Sequence, residues 1–157
     1  MVKIFGCVLL VLGGYLIAAH LNRRASVSLE RVDAWMSLLT HIKNEIECFS
    51  MPVGDILRKT DMSILEGCGY GGAKPPKDMS ELILRSDFSD EECKKIVSNF
   101  TSEFGRCYRD EQVRRCEYYI SRLDGVRTKI SEQLPSKRKL NLTLCIAGSL
   151  AIAIIFC

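Results

Sequence analysis

The charge in this chain is confined to its middle. All nineteen acidic residues and all but one of the twenty-two basic residues lie between Asn22 and Lys139, so the chain reads apolar, charged, apolar. Few folds accommodate that order. Residues Leu140 to Cys157 carry no charge, and at 1.5 Å per residue they would form a helix of about 27 Å, against a hydrocarbon core of about 30 Å. The stretch from Ile4 to Leu21 matches it in length, with His20 as its polar residue. Gly13 and Gly14 weaken such a segment less in a membrane than in water. A cleaved signal peptide is the alternative for the first segment. Leu16 and Ile17 spoil the small-residue cleavage pattern, and Arg23 and Arg24 follow at once. The expected organisation is a membrane anchor at 2–21, a helical domain at 22–139 and a second transmembrane helix at 140–157.

Cations near membrane ends mark the cytoplasmic side. Arg23 and Arg24 follow the first segment, and Lys137, Arg138 and Lys139 precede the second, whereas only Lys3 and the amino terminus lie outside them. These five residues are the expected topology determinants, with the middle facing the cytoplasm.

Within the middle, Val32, Trp35, Leu39, Ile42, Ile46 and Phe49 recur in steps of three and four and trace one helical stripe ended by Pro52. Val113, Cys116, Ile120, Leu123, Ile130 and Leu134 repeat the rhythm between Tyr108 and Pro135, with Arg127 in the one missing place and Val126 beside it. Two striped helices of similar length, each leading to an apolar end, suit an antiparallel pair, and Pro135 is expected to kink the second. Between them, 52–67 reads as one helix stopped by Gly67. Asp78 with Glu81, and Ser89 with Glu92, have capping-box spacing for two more, the second ending at Gly105. No window alternates at period two. The expected fold class is all-α: an antiparallel cytoplasmic bundle of about five to six helices flanked by transmembrane helices.

The eight cysteines do not form a disulfide framework. Cys7, Cys145 and Cys157 lie in the apolar ends, and the five left, Cys48, Cys68, Cys93, Cys107 and Cys116, are odd in number. No CxxC occurs, and His20 and His41 have no cysteine at ligand spacing. Reduced thiols acting as small hydrophobes fit this pattern. Gly67 to Gly72, GCGYGG, satisfies GxGxxG without the strand and helix that give it meaning, and reads as a connection. His41 is the one base in the middle for a cysteine nucleophile and sits within the first helix. Glu45 with Glu47, and Glu91 with Glu92, occupy solvated or capping positions. A non-enzyme without metal or cofactor is expected, and the formal net charge of +3 gives no strong field for nucleic acid. Arg106, Arg109, Arg114 and Arg115 gather around the start of the return helix, where cations oppose the helix dipole. They are either a docking patch for an acidic partner surface or a solvated face partly paired with Asp110 and Glu111.

The layout resembles the stage III sporulation protein AB family: an N-terminal apolar segment ending in RR, a helix carrying LLTHIKNEIECFSMP with Leu39, Glu45, Ile46 and Pro52, the segment FTSEFGRCYRDEQ, and a C-terminal apolar segment. The pattern F-x-x-x-L-G-x-x-D-x-x-x-Q of that family is carried by Phe100, Phe104, Gly105, Tyr108 and Gln112, with Phe104 in place of Leu and Tyr108 in place of Asp. The resemblance implies a fold similar to the cytoplasmic helical domain of the platform protein of type II secretion and type IV pilus machines. It further implies a place in the mother-cell membrane facing the forespore, within a channel between the two cells. The implied partners are a secretion-type ATPase of the same assembly, other channel membrane proteins, the lipid bilayer and further copies of the chain. A membrane-anchored redox sensor or enzyme using the cysteines is the alternative, and a lipid-binding protein acting through its basic collars is a third reading.

Overall fold

The computed structural model describes the backbone of residues 2–103 and 108–156, and the side chains of 12–103, 108–149 and 151–152. The chain forms helices α1 (Val2–Phe49), α2 (Val53–Lys59), α3 (Met62–Gly67), α4 (Met79–Leu84), α5 (Glu91–Glu103) and α6 (Arg109–Phe156). The fold is all-helical among the described residues, where an isolated bridge between Tyr70 and Ser86 is the sole β pairing. The chain divides into two compact units, one comprising Ser28–Lys129 and the other Met1–Val27 with Ile130–Cys157.

In the first unit the expected stripe of α1 forms the core. Val32, Trp35, Leu39 and Ile42 are at most 1% exposed, Leu38 joins them, and Phe49 at 68% departs from the pattern because it lies on the last turn. Facing them on α6 are Cys116, Tyr119, Leu123 and Val126, all buried. Arg127, which interrupts the α6 stripe, reaches across to Asp33 at 2.5 Å, and Lys43 meets Glu117 at 3.1 Å, so the two helices run antiparallel. Trp35 stacks on Phe88 at 5.4 Å, and Phe100 meets Tyr119 edge-on at the same separation. Large aromatic surfaces of this kind contribute strongly to a modest core.

The short helices differ from the expected pattern in two places. Residues 52–67 do not form one helix. Thr60 takes an extended conformation and the Asp61 carboxylate accepts the Ser63 amide, starting α3 afresh. A side chain that caps a new helix competes with continuation of the old one. At α5 the cap is Asp90, which accepts the Cys93 amide at 2.8 Å, while Ser89 accepts from Arg31. The expected stop at Gly105 lies outside the described residues. At α4 the arrangement is close to expectation: Asp78 accepts the Glu81 amide, and Glu81 reaches back to the Lys77 amide. Helix α1 ends where Pro52 requires, with Ser50 at φ 52° donating its amide to Ile46.

In the second unit α1 and α6 also lie antiparallel. Asn141 donates to Asn22 at 3.2 Å, Arg138 to Ser26 at 2.8 Å, and a Cβ on Gly14 would stand 2.9 Å from the Cys145 carbonyl oxygen. Gly14 therefore permits a close approach that any side chain would obstruct. Helix α6 continues through Pro135 without a break. Among the described residues no helix is long and apolar enough to cross a membrane. The segments expected to span one, 2–21 and 140–157, each include residues whose side chains are not described.

Candidate docking surface and basic collar

The four arginines at the start of α6 do not act as one group. Arg109 donates through Nε to the Ile46 carbonyl at 3.2 Å and through its terminal nitrogen to the Glu47 carbonyl. These are among the last carbonyls of α1; that of Ile46 also accepts the Ser50 amide. The dipole argument that makes a cation unfavourable at the start of α6 makes it favourable at the end of α1, and Arg109 serves the second. Arg115 meets Glu111 at 2.8 Å and the backbone and side-chain oxygens of Glu103 at 3.0 and 3.4 Å. Tyr119 also donates to Glu103, at 2.8 Å. Burial, with the Glu103 carboxylate beside it, pushes the Tyr119 phenol up to about 12. Arg114 is exposed and has no hydrogen-bond or ion-pair partner among the described residues. Arg106 lies outside them.

The sequence patch thus resolves into a helix cap, a clamp from α6 onto the end of α5, and one outward cation. Glu103 and Tyr119, the other halves of the clamp, were not singled out by sequence. A cleft of about 390 Å³ lies on the same unit, lined by Pro52, Val53, Asp78, Ser80, Thr101 and Gln112 among others.

The GCGYGG segment is a tied connection. Gly69 has φ +89°, its carbonyl accepts the Asp87 amide at 2.9 Å, and the Gly71 amide reaches the Arg85 carbonyl at 3.0 Å. Arg31 of α1 holds Asp87 and Ser89 from the other side at 2.8 and 2.7 Å. Nothing in this geometry presents a phosphate cradle. The thiols of Cys68, Cys93 and Cys116 are buried and unpaired, whereas Cys48 is exposed. Burial raises the Cys93 and Cys116 thiols to about 12 and raises Cys68 as well, which holds them protonated and unreactive. His41 is half-buried. No group of His, Cys, Asp and Glu is placed to hold a metal ion among the described residues.

Each of the five collar cations, Arg23, Arg24, Lys137, Arg138 and Lys139, is exposed. The Asn22–Asn141 and Ser26–Arg138 contacts set them at one level of the second unit.

A family model, described as stage III sporulation protein AB, matches residues 78–157. The chain belongs to the stage III sporulation protein AB family. Membership gives it a role related to sporulation. The match takes in α4, α5 and α6; the α1 residues Leu39, Glu45, Ile46 and Pro52, which also resemble the family, lie before it. No curated protein and no solved structure matches the chain. Within the matched segment the family pattern acquires a structural meaning. Phe100 is fully buried against Tyr119. Tyr108, where the family pattern has Asp, is the residue preceding α6, and its carbonyl accepts the Gln112 amide at 3.0 Å. That is the N-cap position, where an Asp carboxylate would serve a free amide and a Tyr hydroxyl cannot. Phe104 and Gly105 lie outside the described residues.

Proposed function

We propose that this chain is a non-enzymatic platform subunit of a sporulation channel between mother cell and forespore. Its apolar ends anchor it in the mother-cell membrane, and its helical unit receives a secretion-type ATPase on the cytoplasmic side. The observation that carries the reading is the antiparallel return of α6 along α1, which gathers the two chain ends into one compact unit separate from the bundle of 28–129. A platform subunit that passes force to other channel proteins needs its apolar segments held together in one membrane, and the pairing of α1 with α6 in that unit supports this. Family membership supplies the sporulation context, and the raised thiol pKa values favour this reading over the redox alternative.

The test uses Cys48, the exposed thiol of the bundle among the described residues. In a Cys107→Ser background expressed in non-sporulating cells, whose membrane fronts the medium, an impermeant maleimide applied to intact cells should leave Cys48 unlabelled and should label it after lysis. Cys68, Cys93 and Cys116 should react only on denaturation. Labelling of Cys48 in intact cells would place the bundle on the outer face and end the platform reading.

A further inference from the structure

The compact unit formed by Met1–Val27 and Ile130–Cys157 contains a single acidic residue in its sequence, Glu132. Arg23, Arg24, Lys137, Arg138 and Lys139 are all exposed there, and among the described residues none of them is in an ion pair; Arg138 has the Ser26 hydroxyl. By contrast, many bundle cations are matched: Arg31 with Asp87, Lys43 with Glu117, Arg127 with Asp33 and Lys129 with Glu92. Charges left together without acids repel one another unless an anion lies between them.

The contacts of the helix pair put these cations side by side. The Ser26–Arg138 bond at 2.8 Å lies at the collar, and the Asn22–Asn141 bond at 3.2 Å lies on its apolar side. Beyond that polar rung, past the exposed His20, the surface turns apolar: Tyr15, Leu16 and Ile17 on α1 are 57 to 66% exposed, and Leu144 on α6 is 61% exposed. A ring of unmatched cations bordering a belt of exposed apolar side chains is complementary to an anionic phospholipid, with its phosphate at the ring and its acyl chains along the belt. Arginine adds directional donors that suit phosphate oxygens.

We propose that the collar is an anionic-phospholipid site, selecting phosphatidylglycerol-type headgroups over zwitterionic ones. The inference rests on the membrane-anchored reading above. The full chain, reconstituted into phosphatidylcholine bilayers, is probed with spin-labelled phosphatidylglycerol and spin-labelled phosphatidylcholine, and the motionally restricted fraction of each is measured. Phosphatidylglycerol should be preferred by about fivefold, the effect of roughly one cation's contact with an anionic surface. The preference should fall as salt is raised in the unaltered chain, and should disappear when the five cations are replaced by Gln. Equal restriction of the two lipids in the unaltered chain would overturn the site while leaving the anchor intact. Restriction of neither lipid would overturn the anchor and the site together.

Discussion

Arg109 shows how a charge can be visible in sequence while its work is not. Four arginines near the start of a helix invite a single explanation, yet Arg109 is directed to the carbonyls of Ile46 and Glu47, more than sixty positions earlier. Periodicity and spacing report local geometry, and a partner so distant along the chain leaves no local trace. Replacing Arg109 by Ala should destabilise the chain by about 1–2 kcal/mol, since hydrogen bonds to charged groups are stronger than neutral ones; the shift in urea midpoint measures this. The reading of the cysteines as small hydrophobes agrees with the burial of Cys68, Cys93 and Cys116 and not with the exposure of Cys48. Their burial has a consequence at alkaline pH. An unfolded thiol ionises near 9.0, whereas Cys93 and Cys116 in the folded chain hold their protons to about 12. Above pH 9 the unfolded state therefore binds fewer protons than the folded one, and stability falls as pH rises. Urea denaturation under reducing conditions between pH 8 and about 10.5 should show that fall, and the Cys93→Ala, Cys116→Ala double variant should show a shallower one.

The helices themselves were readable to the extent that a stripe specifies them. The burial of Val32, Trp35, Leu39, Ile42 and Ile46 follows from their three-four spacing, as does that of Cys116 and Leu123. Where sequence reading failed, a polar residue changed the backbone's choice. Asp61 sits in an otherwise helical apolar pattern, so the pattern alone could not show that its carboxylate would start a new helix. Arg127 looked like a flaw in its stripe and is a cross-helix contact to Asp33. Helix α6 offers a test of the capping argument. Because Tyr108 occupies the N-cap position of a helix with Asp110 and Glu111 in its first turn, Tyr108→Asp should stabilise the fold by about 1 kcal/mol. Tyr108 is 90% exposed, so little packing is lost in the exchange, and a rise in thermal midpoint is the expected readout.

For the chain as a whole, composition and family converge on different halves of one account. The uneven charge distribution separates the ends from the middle, and family membership rests on residues 78–157. Of the proposed docking arginines with a described position, Arg114 is the one without a hydrogen-bond or ion-pair partner among the described residues, which makes it the cleanest probe of the platform reading. On that reading, Arg114→Glu should weaken binding to the proposed secretion-type ATPase by about tenfold, the equivalent of roughly 1.4 kcal/mol, with its melting temperature unchanged. Equal binding by the variant in a pull-down titration would move the contact elsewhere on the bundle. The cap supplied by Arg109 also sets an order of events during synthesis. A growing chain that has not yet reached residue 109 carries α1 with the carbonyls of Ile46 and Glu47 still lacking that partner, so the end of the first helix is completed by the first turn of the last. A ribosome paused within the intervening short helices would hold a protein whose oldest element is still unfinished.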